Sequence, residues 1–242
     1  MSSKEHYNRF ALHYDQVVGD RLPVAKYLRR LIKAYHQRAK TILELGCGSG
    51  TMLSFLEKTY TCTGIDSSTR MLSIARKKAP NSVILEGDIT KLSLKERFDV
   101  IICPFDTMNH IISFADWKRV FAGAHKHLRP EGIFIFDVNT EEKMERYRLE
   151  PVTADVSDDS ISFVEVSRER KYRYTVHLTL LRRYRGDSFK RYDMSLPELI
   201  VPTEKIVDNL SEYFRSVILI DPDRDTPDED TTELFFVCRD PR

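Results

Sequence analysis

No stretch of this chain is apolar over the roughly 20 residues that a membrane-spanning helix needs. The opening residues, M-S-S-K-E-H-Y-N-R-F, lack the hydrophobic part of a secretory signal. An excess of one charge is also missing. The formal net charge is +1, which gives no support to a nucleic-acid or anionic-membrane partner. Cysteine is sparse: Cys47, Cys62, Cys103 and Cys238 lie far apart, and no pair has zinc or redox spacing. They read as reduced core thiols of a cytoplasmic protein rather than a disulfide framework. No metal site is expected, and no repeat or low-complexity tract stands out. The 242 residues, 41% of them hydrophobic, fit one large α/β domain or one domain with an elaboration.

What is present centres on residues 41–50, T-I-L-E-L-G-C-G-S-G. Ile42, Leu43 and Leu45 form a short apolar run, three glycines follow, and a helical apolar pattern begins near Met52. Strand, glycine turn and helix in that order match the first unit of a nucleotide-binding α/β sheet. Glycine there lets the backbone approach a ligand closely. Two details oppose a dinucleotide. The G-C-G-S-G spacing departs from G-x-G-x-x-G, and Glu44 would place a negative charge near a pyrophosphate. The same acid suits a cationic ligand, by direct pairing or by fixing the loop.

Strands and helices then alternate. Thr59 to Ile65 predicts a second strand ending at Asp66, a carboxylate placed to accept ribose hydroxyls or to cap the next helix, as Ser67 or Ser68 also could. Val83 to Leu85, Phe98 to Cys103 and Gly132 to Val138 predict strands three to five, the fourth buried on both faces. The fourth runs into P-F-D-T-M-N-H-I, residues 104–111, where open α/β sheets bind ligands. From about Val152 to Asp193 the pattern turns to β, with Tyr172, Tyr174, Val176, Leu178 and Leu180 in period two. Residues 146–196 are therefore expected to form an inserted antiparallel layer, either a lid or a dimerisation face. Residues 1–145 and 197–242 supply the main domain. Ahead of the first strand, Tyr7, Phe10, Leu12, Tyr14, Val17 and Val18 predict a short helix or flap. The run D-P-D-R-D-T-P-D-E-D, between two closing strands, reads as a solvated loop.

The chain resembles the class I S-adenosylmethionine-dependent methyltransferases over roughly residues 7 to 239. The resemblance rests on L-E-L-G-C-G-S-G (43–50), G-I-D-S-S (64–68) with Met71 and Leu72, E-G-D-I (86–89) and F-D-V-I (98–101). It implies a Rossmann-like, seven-stranded, mostly parallel sheet with an antiparallel last strand, and S-adenosyl-L-methionine as cofactor. It further implies that Gly46 and Gly48 line the amino-acid part of the cofactor and Asp66 holds the ribose. Ser67 and Met71 would flank the adenine, and Asp88 with Ile89 would grip it. Glu44, Cys47, Gly87, Cys103 and Phe105 complete the expected cofactor-lining set.

A narrower similarity, to glycine N-methyltransferase-like and amino-sugar N,N-dimethyltransferase-like enzymes, rests on H-Y-D (13–15), F-D-T-M-N-H-I (105–111) and the β-rich insertion. It implies in-line methyl transfer to a nitrogen or oxygen of a small molecule, with Tyr14 close to both cofactor and acceptor. Asn109 is a candidate to hold a polar group of the acceptor, and His110 to act as a base or to serve as a cap or core residue. His177 could face the cleft or open water, and Arg182, Arg183 and Arg185 could read an acidic substrate or line a solvated edge. A monomer or homodimer is expected. The alternatives are a non-catalytic S-adenosylmethionine-binding partner subunit and an RNA or protein methyltransferase.

Overall fold

A computed structural model describes residues 3–11, 14–17, 19–150, 153–157 and 159–242. Leu12, His13, Val18 and Val152, which enter the sequence reading above, lie outside them.

Two short helices, α1 (Ser3–Phe10) and α2 (Tyr14–Val17), precede α3 (Leu22–Tyr35). Pro23 in the first turn of α3 fits a position whose N–H needs no helical partner. The α/β alternation follows: β1 (Thr41–Leu45), α4 (Thr51–Leu56), β2 (Thr61–Asp66), α5 (Thr69–Lys78), β3 (Val83–Glu86), β4 (Phe98–Cys103), α6 (Phe114–His127) and β5 (Leu128–Asn139). Then come α7 (Glu141–Leu149), the strands β6 (Thr153–Val156), β7 (Ser160–Arg170), β8 (Arg173–Arg185) and β9 (Ser188–Leu199), α8 (Thr203–Leu210), and the closing strands β10 (Phe214–Ile220) and β11 (Glu233–Pro241).

The main sheet has seven strands in the order β10-β11-β5-β4-β1-β2-β3. Only β11 runs against its neighbours, pairing antiparallel with both β5 and β10. The mostly parallel sheet with an antiparallel strand at its close is thus as expected. Strand β4 is buried at every residue, as its unbroken run of β-formers requires. Period-two geometry divides the core. Leu43 and Ile101 face Trp117 and Phe121 of α6 on one side. Ile42, Val100 and Ile102 face Leu28 and Leu53 on the other. Phe136 and Phe236 stack across the β5–β11 pair with centroids 4.6 Å apart.

The insertion is a four-stranded antiparallel sheet, β6-β7-β8-β9. Tyr174, Leu178 and Leu180 of β8 are buried, as their alternation predicts. Leu178, Leu180, Met194 and Leu196 close a separate apolar cluster around Phe10 of α1. The N-terminal arm is therefore held by the insertion.

Three features differ from the sequence reading. Helix α7 occupies residues where no helix was expected. Six of its nine residues are charged and only Met144 is buried, so no apolar period marks it. Strand β5 starts at Leu128, four residues before the expected Gly132, and a register shift accommodates this between Phe98 and Val100 of β4. The acidic loop is not wholly solvated. Asp221 is buried and accepts the N–H groups of Asp223 and Arg224 and the hydroxyl of Thr231.

Candidate active site

The carboxyl ends of β1 to β4 meet at a cavity of about 190 Å³, and a smaller one of about 40 Å³ adjoins it. The glycine loop forms the floor. Gly46 and Gly48 have φ of 73° and 51°. A Cβ on Gly46 would approach Thr107 Cγ2 to 2.5 Å, whereas one on Gly48 would project into open space. Gly48 lines both cavities, so a side chain there would fill ligand space. Backbone N–H groups of Gly46 and Cys47 donate to the Ile65 carbonyl and tie the loop to β2.

Asp66 closes β2. One of its oxygens accepts Gly48 N–H at 2.9 Å and the other accepts Ser68 N–H at 2.7 Å. These bonds hold the carboxylate at the cavity it lines. Ser67, Met71, Gly87, Asp88 and Ile89 share the same wall. Asp88 also caps the single 3₁₀ turn at Ile89–Lys91, accepting the N–H and hydroxyl of Thr90. Glu44 and Cys47 line the smaller cavity. Glu44 is buried, its Oε2 has no partner among the described residues, and burial, reinforced by Asp66, pushes its carboxyl well above the usual range. A buried acceptor without a donor is costly, and a cationic ammonium or sulfonium brought there would relieve it. The open space above Gly48 and the orphaned Glu44 oxygen both fit an S-adenosylmethionine molecule whose amino acid lies over the loop.

The arm forms the roof. Tyr7 and Tyr14 line the main cavity, with ring centroids 5.8 Å apart, and Tyr7 meets the His110 ring edge-on at 5.8 Å. Burial raises Tyr14 to about 12 and Tyr7 well above its ordinary value, so both are hydrogen-bond donors at neutral pH. The arm is tied to the cofactor loops. Asn8 accepts from Ser68 and Arg70 N–H, while Asp15 accepts from Ser49, Thr51 and Lys78.

On the acceptor side, the chain leaves β4 through Phe105 and Asp106, both at positive φ (63° and 49°). Such backbone costs about 1–2 kcal/mol per residue and persists only when held. The holder is Asp137, whose carboxylate accepts both N–H groups at 2.7 and 2.8 Å. Burial, then Glu233 and Asp106, raise Asp137. Phe105 and His110 reach the cavity, and Arg21 stacks over the Phe105 ring.

Other expected residues are not brought there. Asn109 is fully buried. Its amide donates to the carbonyls of Asn139 and Leu199 and accepts Asn139 N–H, so both of its N–H groups are spent on the backbone and the buried side chain serves as a clamp. Cys103 is fully buried and lines neither cavity. His177 lies in the insertion between Ser167 and Ser195, bonded to both hydroxyls across the strands. Arg183 and Arg185 are exposed at the far end of the β8–β9 hairpin.

Sequence reading missed Glu198, which is buried although it lies in β9, and Asp106, which joins it. Asn139 donates to both carboxylates, at 2.8 Å to Asp106 and 3.1 Å to Glu198. Burial, then the Asp106 charge, raise Glu198 to about 7. The available signal was an acid interrupting a strand between Pro197 and Leu199.

Residues 42–132 match the model of a methyltransferase-domain family. Loop, fold and matched sequence together place a methyltransferase domain over that segment, and the chain as a whole is similar to S-adenosylmethionine-dependent methyltransferases, small-molecule enzymes among them. A candidate methyltransferase of Geobacillus sp. (strain WCH70) is 26% identical over 245 residues, 96% of this chain and 99% of that one. The dTDP-3-amino-3,6-dideoxy-α-D-glucopyranose N,N-dimethyltransferase of Streptomyces fradiae is 29% identical over 111 residues, 46% of this chain and 44% of that one. Among solved structures, an S-adenosylmethionine-dependent methyltransferase of Clostridium acetobutylicum shares the fold with a TM-score of 0.82 at 23% identity, over 96% of this chain and 98% of that one. Among the described residues, no helix is long and apolar enough to cross a membrane.

Proposed function

We propose that this chain is a methyltransferase that moves a methyl group from S-adenosyl-L-methionine to a nitrogen or oxygen of a small molecule. The observation that carries the reading is the small roofed cavity: the glycine floor and Asp66 on one side, Tyr7, Tyr14 and His110 on the other. Bound S-adenosylmethionine supplies an activated methyl on a sulfonium. Gly46, Gly48, Asp66, Ser67, Met71, Asp88 and Ile89 would hold it, with Glu44 beneath the loop.

The protein's own work is alignment and exclusion of water, each worth several kcal/mol of barrier in such reactions. Tyr7 and Tyr14 cover the cavity and offer neutral O–H donors to an acceptor. His110 lines the same cavity and is placed to take a proton from that acceptor. The roofed cavity and the amino-sugar relative support a small acceptor over RNA or protein. Titration of S-adenosylhomocysteine by calorimetry tests the cofactor half, with one site per chain expected. Incubation with panels of amines and hydroxyl compounds tests the rest. Tight cofactor binding with no turnover across a broad panel counts against catalysis and in favour of a partner subunit.

A further inference from the structure

Asp106 and Glu198 have no role in the cofactor cradle, yet they converge with His110 at its acceptor end. One potential ligand atom from each of the three lies within 4.8 Å of the other two. A first-row dication holds carboxylate oxygen and imidazole nitrogen at about 2.0–2.2 Å, so the three atoms would draw in to about 3.4 Å of one another to close around one ion. No ligand spacing marks this set along the chain, because Glu198 comes from β9 while the other two sit after β4.

Three observations favour an ion over a coincidence of acids. First, no lysine or arginine among the described residues forms an ion pair with either carboxylate. The nearby ammonium of Lys143 donates instead to Asn139 Oδ1, at 2.7 Å. Buried charge without a counter-charge is unfavourable. Second, Nδ1 of His110 is buried without a hydrogen-bond partner among the described residues. Buried ring nitrogens are paired as a rule. Third, the set has the outer support that metal ligands require. Asn139 donates to both carboxylates, Lys143 fixes Asn139, and Asp137 fixes the backbone of Asp106.

We propose that Asp106, His110 and Glu198 bind a first-row transition-metal dication. The imidazole directs the site toward Mn²⁺, Fe²⁺, Co²⁺ or Zn²⁺ rather than Ca²⁺ or Mg²⁺, which favour all-oxygen shells. Three protein ligands leave positions for water or for a polar group of the acceptor. His110 belongs both to the ligand set and to the cavity wall. The ion's use rests on the methyl-transfer reading: it would select acceptors with a hydroxyl or amino group able to coordinate, and ease loss of their proton. Its binding does not depend on that reading.

The test uses the full chain, free of affinity tags and stripped with chelator. It is dialysed against Co²⁺, with uptake read by visible absorption and elemental analysis, and then challenged with Zn²⁺. One Co²⁺ per chain, displaced by Zn²⁺, is expected. Glu198→Gln and Asp106→Asn should each weaken uptake at least about 10-fold, while His177→Ala leaves it unchanged. S-adenosylhomocysteine titration of the same preparations shows that each variant is folded. A chain that binds S-adenosylhomocysteine but takes up no Co²⁺, or whose uptake survives both carboxylate changes, overturns the proposal. Uptake of Co²⁺ by a chain that ignores S-adenosylhomocysteine would sink the methyl-transfer reading and leave the metal site standing.

Discussion

The two walls of the cavity are built in different ways. The cofactor wall comes from residues 44–89, where each functional group lies at or just beyond a strand end: Glu44 in β1, the glycines after it, Asp66 ending β2, Asp88 after β3. The acceptor wall is assembled from distant parts: Tyr7 and Tyr14 of the arm, and Phe105, Thr107 and His110 after β4, with Glu198 of the insertion beside His110. A wall made of consecutive βα units writes its chemistry as a local motif. A wall made by docking separate pieces writes it only as contacts. The first is the part expected to hold a fixed cofactor, and the second the part free to specify an acceptor.

The sharpest challenge to this contrast is Gly50→Ala. Gly50 has φ of 77°, and a Cβ would sit 2.8 Å from the Ala75 backbone. Left-handed strain plus overpacking should cost about 4 kcal/mol, read as a fall in urea midpoint. A variant of wild-type stability would mean that the loop is far softer than the cofactor wall requires. Asn109→Ala comes next. It strands the Asn139 N–H and the Leu199 carbonyl, and should cost about 3 kcal/mol of stability. Cofactor affinity per folded molecule should be unchanged, which separates a clamp from a binding residue.

Asp66→Ala should do the reverse, weakening S-adenosylhomocysteine by about 100-fold, or ~2.7 kcal/mol, in calorimetry. Binding unchanged by this variant would remove the acid from the cofactor wall. Far from both walls, Asp99 serves as a control on fold stability alone. Burial would raise its carboxyl, but N–H groups of Lys40 and Thr41, with Arg129, outweigh that and hold it at about 2. Its folded value lies below an unfolded one of about 3.9. Its contribution is therefore complete above that value and lost as pH falls toward 2. Asp99→Asn should lose about 2 kcal/mol at neutral pH and flatten the acid limb of stability in that window. The smallest effect is expected for His177→Ala, within about 0.5 kcal/mol by thermal melt, with no change in cofactor binding.

The same contrast explains what could be read before any coordinates. The strands themselves followed from periodicity, because those buried on both faces need apolar runs and half-buried ones need alternation, whereas the antiparallel closing strand was implied by the family resemblance. The cofactor acids followed from their position after those runs. Asn109 did not. Its motif neighbours suggested chemistry, but only the docking of β9 against β5 shows that its amide is consumed by backbone groups 30 and 90 residues away. Glu198 and Asp106 were missed because their partnership spans the insertion. Helix α7 carries charge on six of its nine residues and leaves no apolar stripe to find.

The Asn109 clamp also bears on how this protein can change. Its amide bonds to Asn139 at the exit from β5 and to Leu199 at the end of β9, so one side chain pins both ends of the inserted segment together. Once a neck is closed, the entropy of the loop beyond it grows slowly, by about 0.6 kcal/mol for each doubling of length. Segments of other lengths and other inner faces could then be spliced above the same neck without disturbing the sheet below. The insertion behaves as an exchangeable cassette, and trading it is a short evolutionary or engineering route to a new acceptor with the methyl donor kept.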